Sequence, residues 1–480
     1  MLKGNFKGYV VLSIAFILGL LLRLYKIDNP VADWHSWRQA DTSSVSRTYV
    51  SEGINLLYPR YHDISSTQTG KFNPEGLRFV ELPLYNAVQA TLSFSLPAIS
   101  LEVWGRLVSI FSALISGLAL FFIGRKFLGS TGGILAVFFY LVLPFNVYFT
   151  RVILPEPMAT MFAVTSLWAF ILFIDSKNNW KLYVSGVLLA LGILVKPFVI
   201  FYTLPMMYLL IQKFGVRSIF NKAKLLIPLL IFMDIILIPF ISWRAWINNY
   251  PEGIPHFLWA FNGDGIRFRP SFWRWIFGER IGHLILGGWG LVPLAFGILK
   301  RKKDSYFNIF LFLGCFIFIA TIATANVRHD YYQTLIIPSI ALLLAQGTLI
   351  MWESESFNKW VSRGLLFFSL GIGILTSALQ VKEFYKVNHP EIIMAGLAVD
   401  SLTPKDALVV APYNGDSAFL YQTKRWGWPH VDRSIAELIE NGADYYVSVN
   451  YDAQTREFMS KFESVVENQS YVILDLHKAK

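Results

Sequence analysis

Asp33-Trp-His-Ser-Trp-Arg-Gln-Ala-Asp41-Thr42 follows an apolar run, Tyr9 to Leu24, and leads on to Tyr58-Pro59-Arg60. A chain that has just left an apolar helix therefore meets Asp, His, Trp, Arg and Gln side by side. A solvated loop does not need two tryptophans and an arginine packed around carboxylates. A site that receives a polar substrate at a membrane surface does.

The composition around this stretch points the same way. Hydrophobic residues make up 54% of the 480 and charged residues 15%, with a mean hydropathy of +0.47. Those values exclude an ordinary soluble domain. Several runs reach the roughly 20 apolar residues that a membrane-crossing helix needs. About eleven spans are predicted, at roughly 8–25, 104–123, 131–149, 156–175, 181–196, 197–213, 224–243, 282–299, 306–324, 332–352 and 364–380. The chain thus reads as an all-α polytopic membrane protein. Prolines 197, 205 and 239 kink some spans, which is tolerated where neighbours re-satisfy the backbone. Trp and Tyr crowd the span ends, as interfacial belts do. The net charge of +10 sits in short clusters between apolar runs, so membrane topology explains it and nucleic acid is not an expected partner. The single cysteine, Cys315, lies within an apolar run and implies no disulfide framework. No small-x-small site follows the first apolar run, so a cleaved signal peptide is not expected.

Basic residues set the expected orientation. Lys3/Lys7, Arg125/Lys126, Lys177/Lys181, Lys213/Arg217/Lys222/Lys224, Lys300–Lys303 and Lys359/Arg363 fall on alternate connections, on the side of the N-terminus. The short opposite loops carry Arg151, Lys196 and Arg328. By the positive-inside rule the N-terminus is cytoplasmic, and an odd number of spans puts the C-terminus outside. The expected division is a membrane domain over 1–382 and a small extracytoplasmic α/β domain over 383–480. The first outer loop covers about 26–103 and the second about 244–281. Ser43–Leu57 and Leu82–Leu96 in the first loop read as helices lying along the membrane surface. The second loop and its edge hold five tryptophans, Trp243, Trp246, Trp259, Trp273 and Trp275, with Arg244, Arg267, Arg269 and Arg274. In the last domain, strands are expected at Ala407–Ala411, Tyr445–Val449 and Tyr471–Leu476, and helices at Ser434–Asn441 and Thr455–Glu467. No internal repeat is visible, which counts against transporter folds built on inverted repeats.

Three acids stand out on the expected outer face. Asp41 precedes Thr42 and a helical pattern, so it reads either as a helix N-cap or as a general base. Glu81 opens Glu-Leu-Pro-Leu-Tyr85, and Glu156 lies between Pro155 and Pro157, where it solvates a helix end, pairs with Arg151 or belongs to a shared site. Lys196 and Arg328 complement them. A base at a span end commonly snorkels, but these two work against the positive-inside bias, and a lipid-linked phosphate would account for that. His35 and His329 could ligate a divalent metal with Asp41 or Glu156, although no His-x3-His spacing supports one.

These motifs resemble a family. His35-Ser-Trp-Arg-Gln-Ala-Asp-Thr, Asn55-Leu-Leu-Tyr-Pro-Arg60, Glu81-Leu-Pro-Leu-Tyr85, Gly105-Arg-Leu, Arg151 with Pro155-Glu156, Leu194-Val-Lys-Pro197 and Arg328-His-Asp-Tyr-Tyr332 occur here in this order. The set is similar to bacterial relatives of the dolichyl-phosphate-mannose–protein mannosyltransferases. The lipid A aminoarabinose transferases are more distant kin, and all belong to the GT-C superfamily of polytopic glycosyltransferases. The likeness covers roughly residues 1–350.

The resemblance implies a sugar moved from a polyprenyl-phosphate donor to a lipid, glycan or protein acceptor, at the outer face of a bacterial cytoplasmic membrane and with inversion. It places the first-loop catalytic aspartate on Asp41, with Asp33 as the alternative because the spacing to Arg47 differs from the aminoarabinose branch. Glu156 falls where that branch has aspartate. A phosphate contact at Glu81 is not carried over, because that branch has lysine there. Lys196, Arg328 and Tyr332 would hold the donor phosphate. His35, Trp37, Arg38, Gln39, Glu81, Arg151 and His329 would position substrates, the tryptophans by stacking on sugar rings. No Trp-Trp-Asp motif is present, which argues against transfer of a whole glycan to asparagine. Two further readings are a lipid-linked sugar flippase and a non-catalytic membrane scaffold. The acid-rich first loop and the outer domain disfavour the first, and the retained site residues disfavour the second.

Overall fold

The computed structural model describes residues 6–299, 306–354 and 358–480. Lys3 and the Lys300–Lys303 cluster of the orientation argument lie outside them. The chain forms two compact units. The first comprises residues 1–27, 106–243 and 257–383, and the second 28–105, 244–256 and 384–480.

The first unit is helical throughout, because its apolar runs can satisfy their backbone in a bilayer only as helices. Among the described residues, seven helices are long and apolar enough to cross a membrane. Asn179–Val195 and Tyr306–Thr321 are shorter apolar helices. The expected number of eleven is therefore matched only in part. The expected spans 104–123 and 131–149 are both found, because Leu101–Val142 is two helices broken at Gly129 (φ +80°), a conformation that only a residue without a Cβ adopts readily. The expected span at 282–299 is a π-helical stretch, Trp275–Ile285, and a short helix, Leu291–Leu299, separated by Gly287 and Gly288 at positive φ.

Small residues let these helices close on one another. A Cβ on Gly347 would run into the Pro293 carbonyl oxygen, and one on Gly297 would run into that of Leu343. The Leu291–Leu299 and Ile337–Trp352 helices thus meet backbone to backbone, the usual packing solution where lipid removes the hydrophobic incentive to associate. Glu156–Ser176 and Asn179–Val195 form a hairpin across which the Ser166 and Ser185 hydroxyls meet at 3.0 Å. By contrast, Ala223–Ile247 leaves Ile227, Ile231, Ile238 and Ile241 exposed, a surface suited to acyl chains.

The second unit joins residues 28–105 to the C-terminal sheet. Its five strands are β1 (Leu408–Val410), β2 (Trp426–Trp428), β3 (Ala443–Ser448), β4 (Phe462–Glu467) and β5 (Val472–Ala479), in the order β2-β1-β3-β5-β4. β1 runs parallel to β2 and β3, while β5 is antiparallel to β3 and β4. The three expected strands are present. The expected helix 455–467 is present only as Ala453–Lys461, and its second half is β4, whose alternating half-buried and exposed residues are those of an edge strand. The β2 edge is covered by residues 62–64. Ile64 N–H donates to the Gly427 carbonyl at 3.0 Å, and Gly427 N–H donates to that of His62 at 2.9 Å. Residues 62–64 thereby add a further rung to the sheet, and Ile64 joins the core of Val410, Trp428, Tyr446 and Leu474.

Candidate active site

Two polar clusters stand out, one in each unit. In the second unit, the helix Ser36–Glu52 carries most of the first-loop motif. Its N-cap is His35 in a left-handed conformation (φ 56°). Asp41 is therefore inside the helix and does not cap it, which corrects one of the two sequence readings. Its carboxylate is 1% exposed and ion-paired with Arg78. Ser417 Oγ donates to its Oδ1 at 2.7 Å, and Gln68 Nε2 reaches its Oδ2 at 3.4 Å.

The neighbouring motif residues are also tied down. Arg38 pairs with Glu81 at 2.5 Å, both nearly buried. Gln39 Nε2 donates to Asp33 Oδ1 at 2.6 Å and to the Trp34 carbonyl at 3.2 Å. Asp33 thus sits in the irregular turn before the helix, its carboxylate oriented by an amide from the helix's first turn. Trp34 stacks face to face on Phe384 at 5.0 Å and keeps 42% of its surface exposed. Trp37 is half-buried, and its carbonyl accepts from Ser417 Oγ at 3.2 Å.

A second layer of acids lies behind Asp41. Burial pushes the Asp63 carboxyl up to about 6, and the nearby Asp41 charge adds to the shift against hydrogen bonds from Ser65. Burial also lifts Asp416 to about 6, again with Asp41 contributing. His62 is held well below its ordinary range by burial first and by Arg47 second. Neither Arg78 nor Ser417 carries a signal in the sequence. Each meets Asp41 only through the tertiary fold.

In the first unit, Glu156 opens its helix fully buried, and Lys196 lies in the extended joint between Asn179–Val195 and the 3-10 turn Pro197–Tyr202. Lys196 Nζ is 2.6 Å from Glu156 Oε1 and 5.1 Å from the centre of the Tyr332 ring. Pro197 explains the joint, since it disfavours helical geometry at the residue before it. Tyr332 is wedged between Phe198 and Tyr331 at 5.6 and 4.7 Å. Arg328 is exposed, its guanidinium 5.7 Å from the Trp259 ring, and His329 packs against the same tryptophan at 5.5 Å. Asp330 pairs with Arg280 at 3.4 Å, a partner that sequence spacing does not reveal.

Arg151 is fully buried and donates to the Lys26 carbonyl, while Arg106 donates to that of Ile27 at 2.6 Å. Of the readings open for Glu156, the structure shows an ion pair, made with Lys196. Among the described residues, no three His, Cys, Asp or Glu side chains converge to hold a metal ion.

Residues 84–243 match the family model described as dolichyl-phosphate-mannose-protein mannosyltransferase. ArnT from Cupriavidus metallidurans, in its structure bound to undecaprenyl phosphate, superposes with a TM-score of 0.62 at 12% identity, covering 98% of each chain. The family segment spans about a third of this chain, and the solved structure shares its fold. An oligosaccharyltransferase from Archaeoglobus fulgidus, complexed with Zn and sulfate, matches at TM-score 0.56 and 12% identity over 91% of this chain and 67% of that one. The arabinofuranosyltransferase AftD from Mycobacteria matches at 0.56 and 14%, over 97% of this chain and 41% of the other. No curated protein matches this chain in sequence. Its long apolar helices make it an integral, multi-pass membrane protein.

Proposed function

We propose that this protein moves a sugar from a polyprenyl-phosphate donor to an acceptor hydroxyl at the outer face of the membrane, with inversion at the anomeric carbon. The observation that carries the reading is the buried Glu156–Lys196 pair with Tyr332 against it. An ion pair this deep in an apolar helical unit is costly, and without a ligand to serve it contributes little to stability. Placed where a lipid-anchored phosphate arrives, it supplies a fixed positive charge. Lys196 and Tyr332, with the exposed Arg328, hold the departing phosphate, and preorganised charge of this kind usually contributes more to catalysis than any other single effect. Glu156 keeps the ammonium in place. His329 and Arg151 support this cluster.

The acceptor's proton goes to a carboxylate of the first loop. Both Asp41 and Asp33 fit the motif and both are buried, and we assign the base to Asp33, which lies outside the helix. Asp41 already accepts from Arg78, Ser417 and Gln68 inside a helix, which suits an anchor. Asp33 stands in the turn ahead of that helix, with the exposed face of Trp34 beside it to stack on a sugar ring. His35, Trp37, Arg38, Gln39 and Glu81 position the substrates around it. Deprotonation of the hydroxyl, attack at C1 opposite the phosphate and loss of polyprenyl phosphate complete the transfer. A lipid, glycan or protein acceptor satisfies the same chemistry.

The test is consumption of a radiolabelled polyprenyl-phosphate sugar by the purified protein in the presence of acceptor extract, with mass spectrometry of the product. Release of polyprenyl phosphate coupled to a new glycoside supports the reading. Movement of intact lipid-linked sugar across a vesicle membrane, with no bond broken, would replace it with a flippase.

A further inference from the structure

The turn that carries Asp33 is held, within its unit, by residues from the far end of the chain. Asn29 Nδ2 donates to the Tyr385 carbonyl at 3.1 Å, and Trp34 N–H donates to that of Phe384 at 3.1 Å. Gln422 Nε2 donates to the Val31 carbonyl at 2.9 Å, two residues before Asp33. Ser417 then takes over on the helix side, through the Trp37 carbonyl and Asp41. One turn on, the Tyr421 hydroxyl donates to Glu102 at 2.5 Å and lies 2.9 Å from Ser43 Oγ, and Arg47 lies over the Tyr421 ring at 3.6 Å. The short helix Ser417–Thr423 thus runs as a splint along residues 31–47.

Its own seat is fixed from behind. A Cβ on Gly396 would lie 2.5 Å from Gln422 Cβ, so the helix Pro390–Leu402 approaches as closely as a glycine allows. The left-handed pair Asn414 and Gly415 turns the chain into the splint, and Asp416 caps it through Ala418 N–H at 2.7 Å.

We propose that the C-terminal domain sets the position of Asp33, with Gln422 and Ser417 as its positioning residues. The inference rests on Asp33 being the proton acceptor. A carboxylate must stand within hydrogen-bond reach of the acceptor hydroxyl, and a misplacement of about 1 Å costs on the order of 10²-fold in rate. Neither Gln422 nor Ser417 needs to touch the lipid donor, so a loss in turnover without a loss in donor affinity marks their role.

The experiment compares Ser417→Ala, Gln422→Ala, the double variant and Ser417→Thr in the full-length protein, alongside Asp33→Asn. Transfer kinetics and unfolding midpoints are read together. The double variant is expected to lower kcat by about 10²-fold with donor KM within about twofold of wild type, at a near-native unfolding midpoint. Ser417→Thr, which keeps the hydroxyl, is expected to retain most of the turnover. Inactive Asp33→Asn beside a folded, fully active double variant would overturn the inference and leave the base assignment standing. A rise in donor KM matching the fall in kcat/KM would also overturn it. Wild-type turnover in Asp33→Asn would instead remove Asp33 as the base, and the inference with it.

Discussion

Replacing Asp41 by asparagine separates an anchor from a base. Both partners of the Asp41–Arg78 pair are desolvated, with side-chain exposures of 0% and 6%. Neutralising one member leaves a buried guanidinium whose Nε and Nη1 already have no hydrogen-bond partner. Breaking a buried pair in this way costs about 3–5 kcal/mol, or a folded-to-unfolded ratio lower by about 10²–10⁴. The amide introduced by Asp41→Asn would still accept from Ser417, so the loss belongs to the charge and not to the hydrogen bond. Replacing the pair by apolar side chains, Asp41→Leu with Arg78→Met, removes both desolvated charges and is expected to recover most of that stability. Ser417 would keep the Trp37 carbonyl as its acceptor. The assay is denaturant unfolding in detergent, followed by tryptophan fluorescence, with sugar transfer measured on the same preparations. An anchor predicts that Asp41→Asn is unstable and that the double variant is folded and active. A folded but inactive double variant, together with a stable and inactive Asp41→Asn, would refute the anchor and return the base to Asp41.

Other outcomes follow from the same geometry. Arg328→Ala should weaken polyprenyl-phosphate binding by about 10–10²-fold, the value of one charge-assisted hydrogen bond, and should leave stability within about 0.5 kcal/mol because the side chain is exposed. Equal donor binding in variant and wild type would take Arg328 out of the phosphate site. Asp63 is raised from 3.8 to about 6, so the folded protein binds more protons than the unfolded chain between those values, and stability falls as pH rises through that window. The advantage of Asp63→Asn over wild type should therefore grow from about pH 4 to about pH 6 and then level off; an advantage that shrinks with rising pH would contradict the burial argument. Lys386→Cys should react with a membrane-impermeant maleimide in intact cells, while the buried Cys315 stays silent. Labelling only after permeabilisation would invert the orientation and move the proposed site to the other face.

The membrane unit is legible because its signal is local. Runs such as Ala223–Ile247 and Glu156–Ser176 are too apolar and too long to be anything but helices in lipid. The break between 104–123 and 131–149 is legible too, and it falls at Gly129, whose positive φ ends the first helix. In the C-terminal domain, Ser434 and Gly442 bracket a helix correctly by cap chemistry. Phe462–Glu467 reads as helix because it continues the pattern of Ala453–Lys461 with no proline or glycine to stop it. Ser417–Thr423 escapes notice, although Asn414-Gly415-Asp416 offers a turn and a cap just ahead of it; seven residues are too few for a periodic signal. The acids of the candidate site announce themselves by being costly in an apolar chain. Their partners Arg78, Ser417 and Arg280 do not, because pairing across tens or hundreds of residues leaves no mark in local sequence.

The rung that residues 62–64 add to the β2 edge ties the beginning of the protein to its end, and it has a consequence for biogenesis. Ser417 and Asp41 are 376 positions apart, so the first loop cannot reach its final form until most of the chain has left the ribosome. At about 5–20 residues per second, that loop waits tens of seconds for its partners. During the wait Asp41 and Arg78 have no C-terminal cover, and the edge that Gly427 will fill is open. A truncation before residue 408 would thus leave a chain arrested in that state. Late assembly of this kind also acts as a length check: only a protein translated through its C-terminal sheet can settle its first loop.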